Sequence, residues 1–177
     1  MNRLVLATLR LCLVAGVSPW GAGYAMPLSA QSKENTVTEL KASKVVAMVP
    51  RQGGSGGSVQ TERLGTLEVP DANNWSRLAT CFASHSPAAV QTAVGQRDII
   101  LAWPADRDAV VGISDPDAEQ RVAVHLRRRP SLLYLDTRGA RFAQLLETVH
   151  AAMHTKAKLV VAVFPGGQMI EDAYLEP

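Results

Sequence analysis

The chain has 177 residues, of which 47% are hydrophobic, and its 18 Lys and Arg against 16 Asp and Glu give a formal net charge of +2. This length suits one domain of ordinary size preceded by a leader. Removal of the leader predicted below would take away Arg3 and Arg10 and no acidic residue, leaving 16 of each sign. A mature chain near neutrality gives no reason to expect nucleic acid or an anionic membrane surface as a partner.

The first residues carry the features of a secretion signal. A short basic start is followed by a largely apolar run over residues 4–17 and by the small residues of "GAGYA". This order predicts a signal peptide over residues 1–25, cleaved after Ala25, with Ala30 as the second choice. The run is short and Arg10 interrupts it, which argues against a retained membrane span. We therefore expect a mature protein that is periplasmic or secreted and has no stable span.

A single globular domain is predicted over residues 44–177. The polar stretch 26–43 before it is typical of a flexible N-terminal arm. Residues 44–49 are apolar and end at a proline, which predicts a strand. The Gly- and Ser-rich segment 51–61 is interpreted as a flexible loop, and 65–69 as a second short strand.

The next segment has weaker signals. Residues 75–84 are expected to form a short helical turn. Pro87 followed by residues 88–94 predicts a short helix or an irregular segment. Residues 98–103 are typical of a buried strand that a proline ends, and an acidic loop follows, with a candidate strand at 110–113.

The last third has the clearest pattern. Residues 121–126 alternate between apolar and polar, as in a half-buried strand, and 132–135 are again extended. One helix is predicted over about 138–155, with Asp136 or Thr137 as its cap. Its buried face consists of Phe142, Leu145, Leu146, Val149 and Met153. A strand at 159–164 and a returning segment at 169–175 predict a terminal hairpin. The sequence shows no internal repeat.

Three residues of this helix could coordinate a metal ion, because side chains three and four residues apart lie next to each other on one helix face. They are Glu147, His150 and His154. The 100° step per residue, however, places both histidines on the flank and the wet side of the helix. A catalytic zinc helix would also have its Glu between the two ligands. We therefore predict surface histidines and no metal or cofactor site.

Two other motifs are weak. "GGSGG" at 53–57 matches G-x-S-x-G, with Ser55 as the candidate nucleophile, but the segment after it has no helical face. Five acidic residues in the region 106–119 match only fragments of a calcium loop, so a solvated loop is the preferred interpretation. No catalytic residue is predicted.

The cysteines limit the disulfide chemistry. Cys12 lies in the predicted leader, so Cys81 is the only cysteine of the mature chain. No intrachain disulfide can form. A buried thiol is the preferred interpretation, and a bridge between chains or a reactive thiol is the alternative.

Arginines and tryptophans offer the remaining binding chemistry. Arg127, Arg128 and Arg129 could bind a carboxylate, a phosphate or an acidic sugar. Pairing with the nearby acids, or solvation, is the alternative that we prefer. Trp75 and Trp103 could each stack on a sugar ring, although a core position is more usual for Trp.

"LYLDTRGARFAQLLETVHAAMHTKAKLVVAV", with "MIEDAYLEP" closing the chain, resembles the C-terminal half of small secreted bacterial proteins, the OB-fold B subunits of pentameric toxins. The likeness covers residues 131–177. It implies an α+β fold, a small, partly open five- to six-stranded antiparallel barrel (OB-like) with one main helix before a terminal hairpin. Toxin B subunits usually carry a disulfide, which this chain lacks, and none of their glycan-contacting residues can be matched here.

Together these features predict an exported, non-enzymatic binding protein that recognises a glycan or a protein and that can self-associate into a homo-oligomer. The alternative function is a periplasmic accessory or structural component of a cell-envelope secretion or conjugation system. An unrecognised hydrolase would have only Ser55 or the Glu147, His150 and His154 group to use.

Overall fold

Two five-stranded antiparallel sheets form the centre of the protein. The computed structural model describes residues 37–176, so the predicted signal peptide, its cleavage site and most of the predicted arm lie outside it. The elements are β1 (Thr38–Pro50), β2 (Gly57–Thr61), β3 (Gly65–Val69), α1 (Ala72–Ala83), β4 (Pro87–Ala93), β5 (Ile99–Pro104), β6 (Asp106–Ile113), β7 (Arg121–Leu126), β8 (Leu133–Asp136), α2 (Phe142–Thr155), β9 (Lys158–Ala162) and β10 (Asp172–Glu176).

The two sheets have the same connectivity. The N-terminal half, residues 37–104, has the strand order β3-β2-β1-β4-β5, and the C-terminal half, residues 106–176, has the order β8-β7-β6-β9-β10. In each half the helix connects the third strand to the fourth. The sequence predicted no internal repeat, but the chain follows one five-strand, one-helix path twice.

The first strand of each half serves two neighbours. β1 pairs with β4 along its first part and with β2 along its second, and the register shifts between Val45 and Ala47. β6 pairs in the same way with β9 and then β7, and its register shifts between Val110 and Gly112. Such irregularities bend a strand and increase its twist. The bend lets one strand turn from one partner to the other.

Each half stays open between its third and fifth strands. In the N-terminal half these strands meet at one parallel bridge between Glu68 and Asp98. In the C-terminal half one parallel bridge joins Tyr134 to Met169. The described residues therefore form two curled sheets and no closed barrel.

The chain is layered as helix, sheet, sheet, helix. α1 covers one face of the first sheet, where the buried residues of the N-terminal core include Val59, Leu78 and Val90. α2 covers one face of the second sheet over a separate core that includes Leu135 and Val149. The inner faces of the sheets pack together through small and apolar side chains. These are Leu40, Ala42, Ala89, Val160 and Ala162.

The chain crosses from one half to the other through a single residue. β5 ends at Pro104 and β6 begins at Asp106. Between them, Ala105 donates its backbone N–H to Pro87 O at 3.0 Å, which continues the pairing with β4. This short connection leaves little freedom between the halves.

A buried asparagine fastens α1 to the edge of the first sheet. Asp71 caps the helix by accepting from Asn74 N, the usual role of an acidic N-cap. The Asn74 side chain donates to Ile100 O at 3.0 Å and accepts from Ala102 N at 2.9 Å. It thus satisfies backbone groups of β5 that face no further strand. The sequence predicted a short helical turn over 75–84, after this residue.

Much of the predicted secondary structure is confirmed. The alternating strand matches β7, the terminal hairpin matches β9 and β10, and the predicted apolar stripe of α2 packs on the C-terminal core. The α+β class is also confirmed. Two predicted strands, at 65–69 and 98–103, correspond to β3 and β5.

Several predictions were wrong. The short helix or irregular segment predicted over 88–94 is wrong, since Pro87–Ala93 form strand β4. The strand is buried on both faces, so its sequence lacks the alternation that marks a half-buried strand. The flexible loop predicted over 51–61 contains β2, and β1 begins at Thr38, inside the predicted arm. A second helix, α1, extends the predicted turn, so a single barrel with one helix does not describe these residues.

The start of α2 also differs from the prediction. Arg141 is the residue at its N-terminus, without a side-chain cap, and Asp136 instead accepts from Arg138 N in the preceding turn. The helix therefore begins at Phe142, about one turn later than expected.

We expect Asn74→Ala to lower the free energy of unfolding by about 2 kcal/mol, because it leaves buried backbone groups of β5 without partners. Asn73→Ala changes the same side chain at an exposed neighbouring position of α1 and is the matched control. Urea unfolding measures both. Equal losses in the two variants would contradict the role assigned to Asn74.

Candidate functional site: a groove along β6

The helix histidines are exposed. Glu147, His150 and His154 all lie on the solvent side of α2, as the helical geometry predicted. The two imidazole rings stack with centroids 6.3 Å apart. Within residues 37–176, no group of three or more His, Cys, Asp or Glu side chains is arranged to hold a metal ion.

Ser55 lies at the exposed tip of the β1–β2 hairpin. The glycines after it have a structural role. Gly56 has φ +106°, and a Cβ there would lie 2.1 Å from Val69 O; a Cβ on Gly57 would lie 2.2 Å from Val49 O. The G-x-S-x-G match thus reflects a tight hairpin packed against its neighbours, and no helix follows Ser55.

Cys81 is buried in the N-terminal core. Its side chain is 1% exposed, and burial raises the pKa of its thiol. A thiolate is therefore disfavoured there, as expected of an inert core cysteine. Trp75 packs at the border of the same core, so the structural interpretation of both residues holds.

Two of the five acidic residues, Asp117 and Glu119, are paired with Arg121. Asp117 accepts from Arg121 Nε and Nη2 at 3.0 and 2.9 Å, and Glu119 lies 2.7 Å from the same guanidinium. A hydrogen bond from the backbone N–H of Arg121, together with its guanidinium, lowers the pKa of Asp117. Arg121 also lies over the ring of Tyr134. The loop is therefore a network of ion pairs.

The three consecutive arginines are divided between two roles. Arg129 forms an ion pair with Asp106 and donates from Nε to Ser131 at 3.0 Å. The guanidinium groups of Arg127 and Arg128 have no carboxylate partner within the described part of the chain. The predicted pairing with nearby acids thus holds for Arg129 alone.

Three adjoining depressions run along the first part of β6, and we name them together the β6 groove. Their volumes are about 120, 280 and 380 Å³. The first shares Asp106 and Arg129 with the second, and the second shares Arg107, Asp108 and Arg128 with the third. The shared residues make the depressions one continuous surface.

One end of the β6 groove is aromatic. Trp103 and Phe164 lie there with ring centroids 6.2 Å apart and planes inclined by 34°. Trp103 donates from Nε1 to Val163 O at 3.0 Å, which fixes its ring in place. Phe164 is 38% exposed, a large fraction for a phenylalanine. The Asp106–Arg129 pair lies beside these rings and can both donate and accept hydrogen bonds.

The other end of the β6 groove is cationic. It is formed by β6, by the segment after β7, and by the end of α2 with the start of β9. Its charged residues are Arg107, Asp108, Arg127, Arg128, Lys156 and Lys158. The Asp108 carboxylate is occupied, since it accepts from Ala109 N at 2.8 Å and from Arg128 N.

A second cluster of charge lies between the two halves and has a different character. The Asp172 side chain, at the start of β10, is fully buried. It accepts from Arg63 and Arg141 at 2.6 Å each and from Ala42 N at 3.0 Å. Arg63 also lies over the Tyr174 ring, 4.5 Å from its centroid. These contacts tie β10 and α2 to β1 and to the turn after β2.

Burial acts to raise the pKa of Asp172, but the hydrogen bonds from Arg63, Arg141 and the backbone N–H of Ala42 outweigh it and lower the pKa. The carboxylate is thus charged at neutral pH. Its partners are already committed to it, so we interpret the cluster as structural and the β6 groove as the candidate site.

We expect Asp172→Asn to lower the free energy of unfolding by about 3 kcal/mol, because it removes the buried charge to which two partly exposed guanidinium groups donate. Asp117→Asn breaks an exposed ion pair and is the control, with little expected change. Chemical denaturation compares them. A loss no larger for Asp172→Asn than for the control would contradict the structural role.

The same carboxylate predicts a pH dependence. The pKa of Asp172 is lower in the folded protein than the usual 3.8, so the folded state binds this proton less well than the unfolded chain. Its contribution is present at neutral pH and is lost as the pH falls through the two pKa values. Denaturation measured from neutral pH to about pH 3 should give a shallower fall for Asp172→Asn than for the unmodified protein. Parallel curves would refute this assignment.

No protein-family profile, curated protein or solved structure matches this chain. None of the helices between residues 37 and 176 is long and apolar enough to cross a membrane.

Sequence reasoning identified parts of the β6 groove without joining them. Trp103 and the three arginines were singled out separately, and Phe164 was assigned to a strand. Lys156 and Lys158 fall between the predicted helix and that strand. Arg63, Arg141 and Asp172 were not singled out. The one sequence feature that could have indicated this buried cluster is the acidic Asp172 directly before the apolar segment "AYL".

Proposed function

We propose that the protein is an exported, non-enzymatic binding module with two OB-like halves, and that it recognises a glycan in the β6 groove. The observation that carries this proposal is the continuity of the groove. At one end lie a half-buried Trp103, which also packs against the core between the sheets, and an exposed Phe164. From there a row of hydrogen-bonding and charged side chains continues along one surface about as long as a short oligosaccharide.

The OB-like assignment is supported by the path of each half. Three strands form a meander, a helix follows, and two further strands return beside the first. The bent first strand pairs with both the second and the fourth, and one parallel bridge joins the third strand to the segment that leads into the fifth. An OB-fold is a five-stranded, partly open barrel that binds oligosaccharides or oligonucleotides on its surface. The resemblance to toxin B subunits supplies the same expectation.

A glycan suits this chemistry. Sugar rings present C–H faces that pack on aromatic rings, and their hydroxyls both donate and accept hydrogen bonds. Trp103 and Phe164 offer the faces, and the Asp106–Arg129 pair offers an acceptor and donors side by side. Orientation by a few fixed polar groups beside an apolar surface is usual for ligand sites.

The two nucleophilic side chains that the sequence offered lie away from the β6 groove. Ser55 stands at an exposed hairpin tip in the N-terminal half, and Cys81 is buried in a core. Neither lines the β6 groove.

A glycan array followed by calorimetry on the best ligand tests the proposal. We expect Phe164→Ala to weaken binding about tenfold, because an aromatic ring buried on a ligand contributes roughly 1.5 kcal/mol. Phe82→Ala is the matched control, since Phe82 is 39% exposed, against 38% for Phe164, and lies on α1 of the other half.

Absence of any glycan binding would overturn the proposal and favour the envelope-component alternative. Equal loss of affinity in Phe164→Ala and Phe82→Ala would contradict binding in the β6 groove.

A further inference from the structure

The cationic end of the β6 groove has more positively charged side chains than the described part of the chain pairs with carboxylates. Arg107 is paired with Glu176 at 3.0 Å. The side chains of Arg127, Arg128, Lys156 and Lys158 have no carboxylate partner within residues 37–176, and all four residues are exposed. They line one depression of about 380 Å³.

Helix electrostatics accounts for only one of these cations. α2 ends at Thr155, where the negative end of its dipole favours a positive side chain, and Lys156 follows directly. Lys156 adopts φ +57°, a backbone conformation usually given to glycine at this position. Arg127 and Arg128 come from the segment after β7 and have no such reason to gather here.

Like charges that converge on one depression repel one another, and an anion placed between them relieves that repulsion. The planar guanidinium groups of Arg127 and Arg128 match the geometry of a carboxylate, sulfate or phosphate, which they can bind through paired hydrogen bonds. Asp108 lines the same depression, where it accepts from Ala109 N and Arg128 N and forms no salt bridge with any of the four cationic side chains.

The same surface continues to the aromatic end. The floor of the groove runs from Asp106 to Val110, roughly 13 Å at the rise of a β-strand. One extended ligand can therefore reach both ends. It would carry a sugar ring for Trp103 and Phe164 and negative groups for the cationic end.

On this basis, and resting on the proposed function, we propose that the ligand is an acidic oligosaccharide whose carboxylate or sulfate groups bind Arg127, Arg128, Lys156 and Lys158. The mature chain has almost no net charge, so this attraction is local to the groove and sets the orientation of the ligand along it.

The test compares three size-matched probes by calorimetry: a neutral oligosaccharide, an oligogalacturonate and a sulfated oligosaccharide. We expect the unmodified protein to prefer the acidic probes, and we expect that preference to decrease with added salt. The double variant R127Q/R128Q should bind the acidic probes about tenfold or more weakly and the neutral probe unchanged. K156Q/K158Q should give the same pattern from a different structural element.

The control variant, K44Q/R97Q, removes two cations of the N-terminal half that also lack a carboxylate partner among the described residues. It should retain the preference for acidic probes. Circular dichroism establishes that each variant is folded.

The outcomes are distinguishable. Binding of the neutral and acidic probes with equal affinity, still weakened by Phe164→Ala, would overturn the acidic-ligand inference and leave the proposed function standing. Equal binding of a single-stranded oligonucleotide of the same charge would replace it with a general polyanion surface. Absence of binding by every glycan would overturn both proposals.

Discussion

The arrangement of the two halves depends on one buried carboxylate. Asp172, in the second sheet, accepts hydrogen bonds from β1 of the first sheet, from the turn after β2 and from the start of α2. It lies where water cannot solvate its charge. A buried ion is tolerated only when its partners are close and well oriented. The positions of Arg63 and Arg141, and with them the turn after β2 and the start of α2, are therefore set by Asp172.

Around this contact, the sheets approach each other through small side chains. Ala42, Ala89 and Ala162 lie in the layer between the sheets and are fully buried. Small residues give the charged cluster a close-packed frame without bulky side chains that would separate the sheets. The two helices remain on the outside, where each completes a core of its own.

The sequence predicted the C-terminal half better than the N-terminal half, for physical reasons. α2 and β7 each have one buried and one exposed face, so their apolar residues recur with a clear period. β4 is buried on both faces and rich in alanine, and its composition is as compatible with a helix as with a strand. β2 follows directly after a run of glycines, whose composition suggested a loop through the whole segment. The matching connectivity of the two halves could not be predicted, because it depends on the order of strands in each sheet. Short-range sequence patterns contain no information about that order.

The candidate site could not be predicted from the sequence, because it too depends on how the strands are arranged. Its residues come from positions as distant as Trp103, Arg128, Lys156 and Phe164, and only strand pairing brings them to one surface. The consecutive arginines could be recognised as a binding chemistry, but the ion pair that removes Arg129 from that set depends on where β6 begins.

The single-residue passage at Ala105 has a consequence for how the molecule can be divided. Trp103 belongs to the last strand of the N-terminal half, yet it forms the aromatic end of a groove built mostly by the C-terminal half. The halves have matching connectivity, but they are not interchangeable or self-sufficient parts. A fragment cut at their boundary would keep the cations of the β6 groove and lose Trp103, so the complete groove exists only where the two halves are joined.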